Sequence, residues 1–248
     1  MLYLALIITT LLTSLISGVL SMAGGLILMG ILSFVLSVPA AMILHGVAQT
    51  ASNGSRIFLY RDHLRWNVFI PYTIGSLVTL GLFVWMTFIP NKGIVFLIIG
   101  SFPFLGLLIP KSINLDIEKK PIAFVCGIIV TAVQLLAGAS GPVLDIFYVT
   151  SKLNRFEILG TKAITQTLGH IIKLFYYAFF LSLTIDLPSW IFPAIIIAAI
   201  AGNKIGKVII HRIDDEVFKR AGRRTILIIG LIYIGKGVME MVNLDSFY

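Results

Sequence analysis

Apolar runs separated by short polar breaks recur along the whole chain. They lie at 2–20, 26–36, 39–60, 66–89 and 93–109 in the first half, and at 122–137, 143–150, 156–183, 190–210 and 225–242 in the second. An apolar helix of about 20 residues is long enough to cross the hydrocarbon core of a bilayer, and most of these runs approach that length. We therefore predict an all-α fold, that of a polytopic helical membrane protein in the cell (inner) membrane.

The second half of the chain repeats the plan of the first. An ungapped shift that places Gly24 on Gly141 also produces the pairs Gln49/Gln166, Thr50/Thr167, Arg56/Lys173, Phe58/Phe175, Tyr60/Tyr177 and Pro71/Pro188. Internal duplication is common in transporter folds. We predict one transmembrane domain over 1–248, with repeat one at 1–110, a linker at 111–120 and repeat two at 121–248.

The basic residues predict how the two repeats are oriented. If the first two segments of each repeat form a broken or re-entrant helix hairpin, three further spans follow and the repeats are inverted. Most basic residues of the loops then share one side, as the positive-inside rule requires, and Lys92 and Asp186 fall on the other. Those that share a side are Arg61, Arg65, Lys111, Lys119, Lys120, Lys152, Arg155 and the cluster at 207–224. If those two segments form one span, the cluster faces the opposite side and the rule fails. We expect inverted repeats, both termini outside, and the cluster in an interfacial helix or loop.

Composition agrees with this class. Of 248 residues, 58% are hydrophobic and 12% charged, with a mean hydropathy of +1.01, and so few charges could not cover a soluble surface. The net charge of +8 is explained by basic cytoplasmic loops, so no nucleic-acid partner is expected. The single cysteine, Cys126, excludes an intrachain disulfide. The first run lacks a basic region and a cleavage site, so we expect it to be a retained span.

Glycines break the first helix of each repeat, at Gly24 and Gly25 and again at Gly141. Irregular backbone at membrane depth is tolerated only inside the protein or beside a wet cavity. The helix that starts after each break presents free N–H groups and a partial positive charge, which suits an anion. Close helix packing is the other explanation for these glycines.

Polar residues form a stripe on the helix that follows each break. The first stripe is His45, Gln49, Ser52, Asn53 and Arg56, the second is Lys162, Gln166, Gly169, His170 and Lys173, and Thr50 and Thr167 lie at their edges. Spacings of three and four place each stripe on one helical face. The stripes offer donors and positive charge without a carboxylate, which favours an oxyanion. Two alternatives stay open: interhelical hydrogen bonds for the glutamines and threonines, and snorkelling of Arg56 and Lys173 to the interface.

Asp145 is the only acid well inside an apolar run. Charges inside a membrane are by default functional or paired, so Asp145 either relays a proton or pairs with Lys162 or Lys173. Histidine titrates near neutral pH, which makes His45 and His170 further candidates. We expect charge or proton coupling to involve His45, Asp145, Lys162 and Lys173.

Common enzyme motifs are absent from the sequence, including a Walker A loop, HExxH and CxxC. An intramembrane enzyme needs a nucleophile–base pair or a metal cluster, and two histidines in different repeats are too few for either. We expect no catalytic residue, no metal ion and no cofactor.

The pattern resembles the sulfite exporter TauE/SafE family. The matching pieces are 18–25 with 49–53, 137–142 with 161–170, and a closing stretch from 202–206 through Arg212 to 229–231. The first break reads Ala-Gly-Gly where the family often has more consecutive glycines, and the second has Pro142 in place of a glycine. The resemblance implies a transporter of small sulfur-containing or organic anions, driven by an ion gradient.

Together these observations predict a secondary transporter, working as an exporter, of a small anion such as sulfite, thiosulfate or a sulfonate. Its expected partners are this anion, the lipid bilayer and a coupling proton or sodium ion. The residues expected to bind the anion, near the midplane between the two breaks, are Gly24, Gly25, Gln49, Thr50, Asn53, Gly141, Gln166, Thr167 and His170. An anion channel-like pore without ion coupling is the alternative.

Overall fold

The computed structural model describes residues 1–20, 23–108, 115–181, 187–209 and 215–245. Within these ranges the chain forms ten α-helices and no β-strand, which confirms the all-helical prediction. The helices are α1 (Leu2–Leu20), α2 (Ala23–Val35), α3 (Val38–Leu59), α4 (Trp66–Met86), α5 (Lys92–Leu108), α6 (Lys120–Ala137), α7 (Gly141–Ile146), α8 (Arg155–Leu174), α9 (Ile191–Ile209) and α10 (Asp215–Asp245). A 3₁₀ turn, Arg61–His63, follows α3, and a π-helical segment, Phe175–Phe180, extends α8.

Local sequence signals set both flanks of the short helix α7. α6 ends at Ala137 and is capped by Gly138, whose φ of 77° lies in the left-handed region that favours glycine. α8 begins at a capping box, in which the Asn154 side chain accepts hydrogen bonds from the N–H groups of Phe156 and Glu157. The Glu157 carboxylate in turn accepts one from the Asn154 N–H at 2.9 Å. The chain is thus held on either side of the second break.

The prediction of a helix at 143–150 is wrong at both ends. α7 begins at Gly141 and ends at Ile146, after which the chain turns. Pro142 explains the early start, because proline is favoured in the first turn of a helix, where its missing N–H costs nothing.

The charged cluster at 207–224 does not form a separate interfacial element in the described part of the chain. Its residues from 215 onward belong to α10, which continues without interruption to Asp245. No proline lies in this stretch, and its first half is rich in Glu, Lys, Arg and Ala, which favour helix. Residues 210–214 lie outside the described residues.

Two described helices, α4 and α6, are long and apolar enough to cross a membrane by length and composition alone. Apolar stretches in four others are shorter: Leu2–Gly18, Gly24–Val35, Lys92–Leu105 and Ile191–Gly206. α3 and α8 are not among these helices, and they carry the polar stripes. The apolar helices are consistent with a membrane protein, and the number of spans stays a prediction.

Two helix pairs, α1 with α9 and α4 with α6, pack closely along their lengths. Matched contacts are Leu11 with Gly202 and Gly18 with Gly206 in the first pair, and Phe124 with Gly75 and Ile128 with Thr79 in the second. Residue numbers rise together along both helices of each pair, so each pair is parallel. A Cβ at Gly202 or Gly75 would collide with a backbone carbonyl of the facing helix, so glycine permits the close contact.

Two further pairs, α3 with α8 and α5 with α10, are antiparallel. Matched contacts are Gly46 with Leu174 and Tyr60 with Gly160 in the first pair, and Gly93 with Gly237 and Gly100 with Gly230 in the second. Residue numbers rise along one helix as they fall along the other. The two halves can be exchanged by replacing α1–α5 with α6–α10 in order. The pair α1/α9 then becomes the pair α6/α4, while α3/α8 and α5/α10 are each exchanged with themselves.

The ungapped repeat alignment fits the first and third helices of each half but is wrong beyond them. Pro71 lies inside α4, whereas its predicted counterpart Pro188 precedes the start of α9 at Ile191. The π-helical segment after α8 lengthens the second connection, and this displaces α9 relative to α4 along the sequence.

Charged loops from both halves meet at one end of the molecule. Arg65 pairs with Glu157 at 3.2 Å and with Glu118 at 3.8 Å. The backbone N–H of Lys152 donates a hydrogen bond to Glu118 at 3.0 Å. The loops after α3, before α6 and before α8 therefore share this end; linker residues 111–114 lie outside the described residues.

The opposite end is built from aromatic contacts. Tyr3, at the start of α1, packs edge-on against Trp190, with ring centroids 5.5 Å apart. The Tyr176 hydroxyl donates to the Phe88 carbonyl at 2.7 Å, which joins the far end of α8 to the loop after α4. Asp186, which was predicted to lie at this end, is outside the described residues.

Candidate functional site

The first break lies between α1, which ends at Leu20, and α2, which starts at Ala23. Gly24 and Gly25, predicted to break the helix, lie instead in the first turn of α2, and their surroundings differ. Residues 21 and 22 lie outside the described residues. Gly24 packs against α1, where a Cβ would collide with the Thr13 carbonyl oxygen and with Ser17. The Gly25 carbonyl accepts a hydrogen bond from His45 Nε2 at 2.8 Å. Gly24 thus has the close-packing role, while Gly25 presents its backbone to the polar stripe of α3.

The second break is organised by Gln134 on α6. Its Nε2 donates to the Gly138 carbonyl at 3.0 Å and lies 2.8 Å from His170 Nδ1. Its Oε1 accepts from the Ser140 hydroxyl at 2.5 Å. One side chain therefore joins the end of α6, the start of α7 and the stripe of α8.

Sequence reasoning missed Gln134. The repeat alignment carried a usable signal, because the ungapped shift pairs Gln134 with Ser17. Gln134 lies one helical turn before Gly138, and Ser17 lies two turns before Gly24.

A polar bridge connects the two stripes across the α3–α8 contact. Lys173 Nζ lies 2.8 Å from His45 Nδ1 and donates to the Gly138 carbonyl at 2.8 Å. The His45 and His170 rings lie 5.3 Å apart. Since His45 also contacts the Gly25 carbonyl, the bridge connects the two helix breaks to each other through His45 and Lys173.

Hydrogen-bond partners assign the histidine protons. His45 Nε2 faces a carbonyl and must donate, so in the neutral ring Nδ1 accepts from Lys173. His170 Nδ1 faces the Gln134 amide and accepts, so its proton lies on Nε2. His170 therefore has a donor left for a ligand.

A pocket lies between the two breaks. It is lined by Ser17, Gly25, Leu26, His45, Gln49, Arg56, Gln134, Ala139, Ser140, Gly141, Pro142, Gln166 and His170. Five of the residues predicted to bind the anion belong to this lining: Gly25, Gln49, Gly141, Gln166 and His170. His45, predicted as a coupling residue, belongs to it as well.

The other predicted binding residues lie outside the lining. Gly24 packs against α1, and Thr167 donates to the Ala163 carbonyl of its own helix at 2.7 Å. Asn53 Nδ2 is 3.5 Å from Gln49 Oε1. The Thr50 hydroxyl is buried without a hydrogen-bond partner among the described residues.

Three predicted coupling residues also lie outside the lining. Asp145 forms an ion pair with Lys162. Of the predicted roles for Asp145, a proton relay or a pair with Lys162 or Lys173, the structure contains the pair with Lys162. The Lys162 side chain is only 9% exposed. Lys173 is held in the bridge with 0% exposure.

The pocket lining is rich in donors and carries a cation. Arg56 lines it, and among the described lining residues there is no Asp or Glu. Gln49 is 4% exposed, and its Nε2 has no hydrogen-bond partner among the described residues. A buried donor without a partner costs about 1–3 kcal/mol, so the amide is suited to a ligand that accepts hydrogen bonds.

A family model described as sulfite exporter TauE/SafE matches residues 6–233, which include both breaks and both polar stripes. No curated protein and no solved structure matches the chain. The chain belongs to the sulfite exporter TauE/SafE family of membrane transporters.

Proposed function

We propose that the protein is a secondary transporter, working as an exporter, of a small sulfur-containing or organic anion such as sulfite, thiosulfate or a sulfonate. The observation that carries this proposal is the pocket between the two breaks, with donors and a cation in its lining and no described carboxylate. Both halves of the chain contribute to it, as expected for a site that two repeats open in turn.

The anion is held by four groups in this proposal. Arg56 supplies the charge, and the Gln49 and Gln166 amides and His170 Nε2–H supply hydrogen bonds. Charge-assisted hydrogen bonds to an oxyanion are about twice as strong as neutral ones. The N–H groups at the start of α2, beside Gly25, add a partial positive charge.

The proposed architecture is a multi-pass protein of the cell (inner) membrane with two inverted repeats. The antiparallel contacts of α3 with α8 and of α5 with α10 support it, because inversion makes equivalent helices run in opposite directions. The charged end that holds Arg65 and Lys152 is the cytoplasmic one under the positive-inside rule. Both termini are then outside.

Transport is driven by an ion gradient in this proposal, of protons or sodium ions. For a proton-coupled cycle, the groups placed to exchange a proton are the bridge of His45 with Lys173 and the pair of Asp145 with Lys162. His45 lines the pocket, and Asp145 and Lys162 follow and precede the lining residues Pro142 and Gln166 by three and four positions, so a change in their charge changes the potential felt by the anion.

Flux into proteoliposomes tests the function directly. Purified protein is reconstituted, and uptake of radiolabelled sulfite, thiosulfate and a small sulfonate is measured with and without a pH or sodium gradient. We expect saturable flux of at least one anion that a gradient accelerates. Flux that no gradient affects favours the channel-like pore, and flux of none of the three anions contradicts the proposal.

The two glutamines test the site. Gln49→Ala and Gln166→Ala each remove a hydrogen bond to a charged ligand, so we expect KM to rise about tenfold or more. Thr73→Ala is the control, since the Thr73 hydroxyl bonds the Phe69 carbonyl of α4, outside the pocket. Unchanged kinetics in both glutamine variants would exclude this site.

A further inference from the structure

Three contacts hold the Gln134 side chain in one orientation. Its Nε2 donates to the Gly138 carbonyl at 3.0 Å, and its Oε1 accepts from the Ser140 hydroxyl at 2.5 Å. The second hydrogen of Nε2 faces His170 Nδ1, at a nitrogen–nitrogen distance of 2.8 Å. Turning the amide over would place its oxygen against the Gly138 carbonyl, and neither group can donate. Gln134 is 3% exposed, so solvent has little access to these contacts.

The fixed amide leaves His170 one arrangement of its ring protons. An N–H group faces Nδ1, so Nδ1 must present a lone pair, and the proton of the neutral ring lies on Nε2. A second proton would have to lie on Nδ1, directly against the Gln134 N–H. It would also add charge to a basic neighbourhood, because the titratable and charged groups around His170 are His45, Arg56 and Lys173. His170 is therefore held neutral, as a donor.

The first half of the chain presents a comparable neutral donor. Asn53, which the repeat alignment pairs with His170, donates from Nδ2 to Gln49 Oε1 at 3.5 Å. Gln49 Nε2 has no hydrogen-bond partner among the described residues. In each half, a neighbouring amide thus occupies the acceptor atom of a pocket side chain, and an N–H group of that side chain remains for a ligand.

We propose that Gln134 is a positioning residue that keeps His170 a neutral hydrogen-bond donor between about pH 6 and 8, where a free histidine titrates. His170 lines the pocket, so its Nε2–H group is available to an oxygen of the anion. The ring then contributes the same hydrogen bond throughout this range and carries no proton through the transport cycle. Its role as a donor to the anion rests on the proposed anion site, whereas its tautomer does not.

Nitrogen NMR of the full-length protein in detergent, labelled with ¹⁵N in its four histidines, tests the tautomer. The signal that His170→Asn removes belongs to His170. We expect it to show a protonated Nε2 and an unprotonated Nδ1, without change between about pH 6 and 8. Gln134→Glu offers a carboxylate acceptor in place of the amide N–H, so we expect the proton to move to Nδ1. The wild-type spectrum decides the tautomer even where a Gln134 variant does not fold.

The pH dependence of transport tests the positioning role. A radiolabelled sulfonate keeps its charge over this range, and equal pH on both sides of the vesicle removes any proton gradient. In Gln134→Glu, the neutral His170 ring carries its proton on Nδ1, and only the cationic ring still donates from Nε2. We therefore expect the ratio of the variant KM to the wild-type KM to rise about tenfold or more from about pH 6 to 8.

Thr131→Ala is the matched control. Thr131 lies one turn before Gln134 on α6 and donates to the Ser76 hydroxyl at 2.8 Å, outside the pocket lining. Its KM should stay within about threefold of the wild-type KM at both pH values. Gln134→Met removes the same contacts at the break without supplying an acceptor, so a purely structural role of Gln134 would give the Met and Glu variants the same pH dependence. Gel filtration and the Tm of each variant verify folding.

The results that contradict this inference differ from those that contradict the proposed function. A protonated Nδ1 in wild-type His170 overturns the inference, even if sulfonate flux is present. A KM ratio that pH does not change in folded Gln134→Glu also overturns it, as does equal pH dependence in the Glu and Met variants. The expected tautomer without flux of any anion supports the positioning of His170 and overturns only the proposed function.

Discussion

Arg56 and Lys173 occupy aligned positions in the two halves, yet their surroundings differ. Arg56 lines the pocket. Lys173 is fully buried, and its Nζ contacts His45 and the Gly138 carbonyl. At the residue scale the structure therefore assigns one cation to the pocket and the other to the bridge between the breaks.

The two cations should differ in their kinetic effects. Arg56→Met removes the pocket's charge, so we expect the KM for the transported anion to rise about tenfold or more. Lys173→Met leaves the lining intact but opens the bridge, so we expect a lower maximal rate with KM within about threefold. Concentration series of flux in proteoliposomes measure both. An equal rise of KM in the two variants would contradict this division of roles.

The Asp145–Lys162 pair gives a second residue-scale prediction. Asp145→Asn leaves the Lys162 ammonium buried without its counter-ion, so we expect unfolding stability to fall by about 3 kcal/mol. Asp145→Asn combined with Lys162→Met removes both charges and should recover most of that loss. Thermal unfolding in detergent checks the stability. If Asp145→Asn keeps wild-type stability while abolishing flux, Asp145 is a proton relay and not a structural partner.

Helix contacts in this protein depend on small residues at the crossing points. Gly75, Gly127, Gly202 and Gly206 each face a backbone carbonyl of the neighbouring helix so closely that a Cβ would collide with it. Lipid offers no hydrophobic force for helix association, so close van der Waals packing carries much of the stability. At the element scale, the parallel pairs are therefore the most sensitive to added volume.

Alanine at two glycines should separate packing from helix propensity. Gly127→Ala forces α6 away from the Tyr72 carbonyl, so we expect a loss of about 1–3 kcal/mol. Gly81→Ala, on α4, places its Cβ in open space. This control should be neutral or stabilising by about 0.5–1 kcal/mol. Thermal unfolding of both variants checks the prediction, which fails if they change stability alike.

At the scale of the whole molecule, loops from both halves meet at a single charged end. Arg65 on one loop pairs with Glu118 and Glu157 on two others, while the start of α1 lies beside Trp190 at the opposite end. Equivalent helices contact each other in antiparallel fashion. Under the proposed inverted arrangement, the 61–65 loop and the α4–α5 loop lie on opposite sides of the membrane.

Cysteine labelling tests that expectation. In a Cys126→Ser background, we expect an impermeant maleimide added to right-side-out vesicles to label Asn91→Cys and not Arg61→Cys. Both positions are exposed, and Cys126 is buried. Inside-out vesicles should give the reverse. Labelling of both positions from the same side would contradict the inverted arrangement.

The sequence was sufficient for features that depend on local pattern. The apolar runs at 2–20, 39–60 and 66–89 coincide closely with α1, α3 and α4, since helical periodicity is a local signal. The polar stripes also predict which face of α3 and α8 is buried, and Gln49 and Gln166 both reach the pocket.

Features that depend on what lies across a contact could not be predicted. Nothing local distinguishes Arg56 from Lys173; the difference arises because His45 and the Gly138 carbonyl lie opposite Lys173. In the sequence, Gln134 is a single polar residue in an apolar helix. Its role depends on the turn at Gly138, which places the Ser140 hydroxyl within hydrogen-bond distance of its side chain. The π-helical extension of α8 likewise breaks the repeat alignment without a visible sequence signal.

The parallel contact between α1 and α9 has a consequence for biosynthesis. α1 leaves the ribosome well before α9, against which it packs along its length. Until α9 is inserted, the face of α1 that carries Ser14 and Gly18 is not covered by α9 and is exposed to lipid or to the insertion machinery. A nascent chain that stops before α9 therefore displays an unshielded polar helix face, a feature by which quality control can distinguish incomplete chains from finished ones.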